Sequence, residues 1–280
     1  MTTTLRLPPR IARLPQLRRI MRGGLAARGS IGAGLAAKAG GAAAGNGLLN
    51  NLTGFWPMNE AAGANNALDA HANALTLTQT ASPGSAAGIV YAGARTFNGS
   101  SQYFSRASEA LLQTGDVDFT IAAWIYIGAK APATNSVIAA KDNATSREWY
   151  LYHSGPADRM RWLVYPGAST FVNADTFGSP PLSTWFLLFA WHEAAAKKIY
   201  ISINSGAADS TTYASGTISV TNTLMTIGVF GTTNQYFWNG RIGPVAMWKS
   251  AAGAGGALDA TKRAALWNSG NGLAYSAFTT

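Results

Sequence analysis

Cysteine is absent from the 280-residue chain. That removes disulfides, thiolate metal sites and cysteine nucleophiles together, and it argues against a small secreted module stapled by disulfides. Charge is scarce as well. Asp, Glu, Lys and Arg make up 12% of the residues, against roughly 25% in an average soluble domain. Such a surface is hydrated by Ser, Thr, Asn and Gly, and it suits a protein that packs against neighbours. No apolar run reaches the length a membrane-spanning helix needs. Acidic residues are missing altogether from positions 1–50, which carry Arg6, Arg10, Arg13, Arg18, Arg19, Arg22, Arg28 and Lys38.

That last absence divides the molecule. The formal charge is +9, yet positions 51–280 hold thirteen Lys/Arg against twelve Asp/Glu. The basicity therefore belongs to the first fifty residues, and the remainder is near neutral. A nucleic-acid-binding body would show a basic stripe of its own, and none is visible. What is abundant is apolar mass: 48% hydrophobic residues, nine of them Trp, enough for a large core.

Residues 1–50 read as a basic, Arg/Gly/Ala-rich anchoring arm and tether. LRLPPRIARLPQLRRIMRGG begins with Pro8 and Pro9, which favour an extended start. Pro15 can open a two-turn helix with Leu14, Leu17 and Met21 on one side, ended by Gly23-Gly24. Two turns are too short to persist alone in water, so the piece is expected to order against a partner. From Gly23 to Gly47, eighteen of twenty-five residues are Gly or Ala, and GLAAR (24–28) recurs as GLAAK (34–38). Arg18-Arg19 also fits an export signal, and the acid-free composition fits a transit peptide. Arg28 and Lys38 interrupt the apolar core such a signal needs. An anchor built from Arg6, Arg10, Arg13, Leu14, Leu17, Arg18, Arg19, Met21 and Arg22 is the preferred reading, ahead of a targeting segment or a plain tail. Were its partner nucleic acid, binding would weaken with salt.

From residue 51 the pattern becomes short β-branched and aromatic runs between turn residues. FTIAAWIYI (119–127) alternates Phe119, Ile121, Ala123, Ile125 and Ile127 with Thr120, Ala122, Trp124 and Tyr126. Both sets are largely apolar, as for a strand inside a sandwich. WFLLFAW (185–191) behaves alike, and KIYISI turns Ile199, Ile201 and Ile203 inward. EAAAK (193–197) is a helix former in isolation, but between two strands it predicts a hairpin turn. Asp259 caps a short helix ending at Trp267, closed by Asn268-Ser269-Gly270. Strands spaced near ten residues over two hundred predict an all-β, two-sheet antiparallel sandwich with one short C-terminal helix.

The order of these pieces resembles the laminin-G-like, concanavalin A-like jelly-roll family, in the form found in bacterial and phage surface proteins. LTGFWPMNEAAG (52–63) resembles its opening strand and acidic turn, and LDAHANALTLT (68–78) the loop and strand that follow. ARTFNGSSQYF (94–104) resembles its hairpin, and DFTIAAWIY (118–126) its most recognisable strand. STWFLLFAW, KIYISINSG, LMTIG, FWNGRIGPVAMW and ALWNSGNGLAY follow in the family's order, so the resemblance covers about residues 51–275.

It implies a displayed surface rather than a catalytic cleft. Asp116 and Asp118 are two apart, but their place before a strand predicts a turn role rather than the facing carboxylates of a glycosidase. Glu148 stands alone, and His71, His153 and His192 lack a partner pattern. No Gly-rich phosphate loop with a Lys is present. Relatives that hold structural Ca²⁺ suggest Asn59, Glu60 and Asp69 as ligands, although Gly243-Pro244 stands where the family often has carboxylates. Trp149, Tyr152, Trp162, Tyr165, Tyr236 and Trp238 are candidate glycan contacts, weighed against a role in the core. Asn-X-Ser/Thr triplets at Asn51, Asn98 and Asn143 are weak signals.

The expectation is thus a non-enzymatic display protein of a large assembly. A phage virion is the first choice, as capsid decoration, head fibre or tail-associated protein. The arm would dock to other assembly proteins in many copies, and the jelly roll at the virion surface would contact host glycans. An exported bacterial carbohydrate-binding or adhesion protein at the cell surface is the alternative.

Overall fold

The computed structural model describes residues 45–231 and 233–280. The arm residues Arg6 to Arg22, with the anchor assigned to them, lie outside the described residues.

Period-two alternation organises the sandwich. In β6 (Asp118–Ile127), Phe119, Ile121, Ala123, Ile125 and Ile127 enter the main core, while Ala122 and Trp124 face the opposite way into a second apolar layer. In β11 (Trp185–Glu193), Phe186, Leu188 and Ala190 likewise point into the main core, with Leu187, Phe189 and Trp191 in the second layer. Both faces of these strands are buried, as their sequence predicts.

The remaining strands are β1 (Leu52–Trp56), β2 (Thr78–Thr80), β3 (Gly84–Ala87), β4 (Gly93–Asn98), β5 (Tyr103–Arg106), β7 (Asn135–Asp142), β8 (Arg147–Ser154), β9 (Arg159–Val164), β10 (Thr170–Asn173), β12 (Lys198–Ile203), β13 (Asp209–Thr212), β14 (Met225–Ile227) and β15 (Asn239–Ser250). One sheet runs β13-β12-β11-β6-β15-β4-β3, with β1 also paired to β15. The other runs β10-β9-β8-β7-β14-β5-β2. Every strand ladder is antiparallel. Pro244 sits in β15 where the register against β6 shifts between Ile242 and Val245, an irregularity that accommodates a residue unable to donate to the ladder.

The expected turn at EAAAK is present: Glu193 pairs with Lys198, and Lys197 N–H donates to Ala194 O at 3.1 Å. The helix α1 (Ala260–Trp267) is capped by Asp259, whose carboxylate accepts from Lys262 N–H, and closes at Asn268 with φ 46°. One expectation is corrected. ARTFNGSSQYF does not form a hairpin: β4 pairs with β3 and β15 in the first sheet, whereas β5 pairs with β2 and β14 in the second. The polar turn between them carries the chain from one layer to the other.

The outer faces of the two sheets differ. Leu258 and Leu266 from the C-terminal segment, with Phe278, join Leu48, Phe55, Trp124, Phe189 and Trp248 to cover the first sheet. Trp248 Nε1–H donates to Leu48 O at 2.8 Å, and Phe278 meets the Phe55 ring edge-on at 5.3 Å. Asn46 is tied to the last residues, donating from Nδ2 to Ala277 O and accepting from Thr279 N–H. Residues 46–49 are thus part of the folded body, a few residues earlier than composition suggested. Composition misses this because Asn46-Gly47 continues a Gly/Ala run whose anchor points, Leu48 and Leu49, are only two residues.

Candidate functional site: the outer face of the second sheet

In β8, Trp149 and Leu151 enter the main core, which sends Tyr150 and Tyr152 to the outside. In β9, Met160, Trp162 and Val164 face in, and Arg161 and Leu163 face out. In β10, Val172 is buried and Phe171 is 45% exposed. The outward set forms a continuous aromatic strip, in which Tyr152 and Phe230 are buried, at 2% and 7% exposure, and Tyr150, Tyr165 and Tyr236 are half-buried. Tyr150 and Tyr152 stack at 4.5 Å, Phe230 meets Tyr150 edge-on at 5.1 Å, and Tyr236 follows at 5.7 Å from Phe230. Offset and edge-on rings of this kind add packing beyond area burial.

Two arginines flank the strip. The Arg161 guanidinium lies 4.1 Å from the Phe171 ring centroid and 5.8 Å from Tyr152, and its Nε–H donates to Asn173 Oδ1 at 2.6 Å. Arg147 lies 4.8 Å from the Tyr165 centroid and donates from Nη1 to the Tyr165 hydroxyl at 2.9 Å. Cations held over ring faces are stabilised there and keep the rings oriented. Beneath them is Asp142, a buried carboxylate that accepts from Ala144 N–H at 2.7 Å through Oδ1. Its other oxygen has no partner among the described residues. Burial pushes its pKa up to about 6, against the smaller lowering from the Ala144 N–H and Arg147. Burial also raises the Tyr150 and Tyr165 hydroxyls, which stay neutral across the physiological range.

The loop after β14 holds the end of the strip. Tyr236 O accepts from Val137 N–H at 2.8 Å, and Phe230 N–H donates to Gln235 O at 3.1 Å. Gly231 has φ 50°, and a Cβ there would stand 2.1 Å from Asp142 O. Only glycine permits so close an approach.

Of the six aromatic residues predicted as glycan contacts, four are corrected. Trp149, Trp162 and Trp238 are core side chains, near-fully buried between the sheets. Tyr152 is buried as well, at 2% exposure on the outward side of its strand, while Tyr165 and Tyr236 lie half-buried there, beside Tyr150, Phe171, Phe230, Arg147 and Arg161, which the sequence reading does not name.

The predicted calcium ligands make hydrogen bonds of their own within the chain. Asp69 spends Oδ1 on the N–H groups of Phe55 and His71 and Oδ2 on that of Leu75. Glu60 Oε1 accepts from Leu68 N–H, its Oε2 is buried without a partner among the described residues, and Asn59 is exposed. The carbonyls of this loop converge instead on buried Arg95. Its guanidinium donates to Glu60 O (2.9 Å), Ala61 O, Gly63 O (3.3 Å), Asn65 O (3.2 Å) and Pro83 O (3.0 Å). It also lies 5.2 Å from the Phe104 centroid. The Arg95 guanidinium thus takes the carbonyls that a cation in this loop would use. Among the described residues no group of three His, Asp or Glu side chains is placed to hold a metal.

The remaining ionisable groups are structural in their contacts. Glu148 is buried, accepting from Lys141 Nζ, Thr114 and Thr221. Asp118 accepts from Ala194 N–H and Gly253 N–H. His153 Nε2 lies 3.0 Å from Asp158, and Ser179 Oγ reaches the same carboxylate rather than the imidazole. The carboxylate stands between base and hydroxyl, so this set cannot activate the serine. His192 is held by Val117 O and the Tyr213 hydroxyl, each at 2.7 Å.

Residues 98–255 match the family model described as the concanavalin A-like lectin/glucanases superfamily. The chain belongs to that superfamily. Among solved structures it is similar to the binding domain of Paraclostridial Mosquitocidal Protein 1, with TM-score 0.60 and 15% identity over 79% of this chain and 53% of that one. It is also similar to domain 4 of AbnA, a GH43 extracellular arabinanase from Geobacillus stearothermophilus solved with arabinotriose. There the TM-score is 0.54, with 16% identity over 75% of this chain and 98% of that one. A third is a botulinum neurotoxin type C structure whose description ties cell entry to two ganglioside molecules, with TM-score 0.54 and 11% identity over 76% and 51% of the two chains. The chain spans about half the length of the first and third of these. At such identities the likeness is one of fold. No curated protein matches the sequence. Among the described residues no helix is long and apolar enough to cross a membrane.

Proposed function

We propose that the protein is a non-catalytic carbohydrate-recognition module, with the outward face of the second sheet as its binding surface. The observation that carries this reading is the set of accessible rings on the outer face of the second sheet, exposed Phe171 and half-buried Tyr150, Tyr165 and Tyr236, set on buried Tyr152 and Phe230 and flanked by Arg161 and Arg147. Sugar rings present C–H faces that pack on aromatic rings, and their hydroxyls take hydrogen bonds from planar polar groups alongside. Two structural neighbours, one solved with arabinotriose and one from a toxin whose cell entry depends on two ganglioside molecules, support the same ligand class.

The finer reading is a display protein of a large assembly, a phage virion by preference, in which residues 1–50 dock to assembly proteins and the sandwich meets a glycan-bearing surface. Its support is the charge division between an acid-free leader and a neutral body. A glycan array probed with the full chain and with Tyr150→Ala tests the recognition function. Binding that Tyr150→Ala removes is the expected result. Absence of binding at high protein concentration refutes it.

A further inference from the structure

Where the strip ends at Tyr236, a depression of about 320 Å³ opens between the start of β7, with the residues just before it, and the loop after β14. Asn135, Asn234 and Gln235 line it with carboxamides, Thr134 and Ser136 are also in its wall, and Tyr236 and Phe237 bound it. Gly99 and Ala131 complete the lining, and none of these residues is charged. Among the described residues the three carboxamides have no hydrogen-bond partner.

The walls are fixed. Asn234 and Tyr236 are held at φ 50° and 58°, a left-handed conformation that is an outlier for a residue as bulky as tyrosine. It persists because the surroundings over-determine it: Tyr236 O is bonded by Val137 N–H, Gln235 O by Phe230 N–H, and Trp238 N–H donates to Gly228 O at 2.9 Å. Gly99 N–H in turn donates to Trp238 O at 2.9 Å. A preformed site loses less entropy on binding than a mobile one.

We infer that this depression is a subsite for one uncharged sugar residue at the end of the strip, an inference that rests on the carbohydrate reading above. Each carboxamide offers both donors and acceptors, the pairing that vicinal hydroxyls require. The rings of Tyr236 and Phe237 supply an apolar edge for the sugar's C–H face. The lining itself offers an acidic sugar no cation.

The test is side-chain amide NMR and calorimetry on the full chain, with lactose, maltotriose, arabinotriose and 3′-sialyllactose as probes. At least one neutral sugar is expected to shift the Asn135, Asn234 and Gln235 amide signals. The double variant Asn135→Ala, Gln235→Ala should bind that sugar about tenfold more weakly. The thermal midpoint should be unchanged, and sialyllactose should bind no tighter than lactose. A sugar that binds while leaving the three signals in place and the double variant's affinity intact overturns the subsite and leaves the wider reading standing. So does a preference for sialyllactose. No binding of any of the four, together with a blank glycan array, overturns both. Signals from the unaltered chain decide the matter even if the double variant misfolds.

Discussion

Lys141 Nζ and Glu148 Oε1 lie 2.7 Å apart with neither side chain exposed to solvent. The pair links β7 to β8, and both partners are saturated. Lys141 also donates to Ser108 Oγ, Thr221 O and Thr223 O, while Glu148 takes N–H and O–H donors from Thr114 and Thr221. Burial lowers the Lys141 pKa, and Glu148 opposes that lowering. Removing one member strands the other's charge without solvent, which costs about 3–5 kcal/mol. Glu148→Ala should therefore lower unfolding stability by that amount in urea titrations. The double variant Lys141→Met, Glu148→Leu should recover much of the loss. Equal losses in the single and double variants would contradict this account.

Arg95 gives a second prediction. Five carbonyl oxygens depend on one guanidinium, so Arg95→Ala leaves buried acceptors unpaired and should destabilise the body by at least about 3 kcal/mol. Because the unaltered chain carries its cation covalently, its melting temperature should not respond to EDTA or to added calcium. A rise in melting temperature on adding calcium to the unaltered chain would show that the loop takes a metal after all.

Asp142 sets a pH dependence. Its carboxyl moves from the ordinary 3.8 up to about 6 in the folded protein, so the folded state holds this proton more tightly than the unfolded chain. The stabilisation is fully present below pH 4 and is lost as pH rises through about 6. At neutral pH the ionised group costs roughly 3 kcal/mol. Asp142→Asn should be more stable than the unaltered chain at pH 7, and the gap should close toward pH 4. Parallel stability curves for the two proteins from pH 4 to 7 would rule the effect out.

The leader yields the fourth prediction. A chain lacking residues 1–22 should keep its melting temperature, because the core residues described here all lie beyond residue 45. It should fail to incorporate into particles when co-expressed with the parent assembly. Normal incorporation would remove the docking role of Arg6 to Arg22.

How far the sequence alone reaches is clearest in β8. The strand type is legible in REWYLYH, and strict alternation already separates Trp149 and Leu151 from Tyr150 and Tyr152. Selecting aromatic residues by type rather than by parity put Trp149 and Trp162 on the surface, where the pleat does not allow them. Phe230 was not legible, since its place beside Tyr150 depends on a loop that only the long-range bond from Val137 to Tyr236 fixes. Nor was the role of Arg95. Its acceptors are backbone carbonyls, and a carbonyl leaves no trace in residue identity. The switch between β4 and β5 escaped for a similar reason: a polar turn looks the same whether the chain returns to its own sheet or crosses to the other.

The stitching of Asn46 to Thr279 has a practical corollary. Both ends of the folded body are fastened side by side behind the first sheet, the layer opposite Tyr150. A tag, surface linkage or fused protein added at the carboxyl end is therefore attached on the side away from Tyr150.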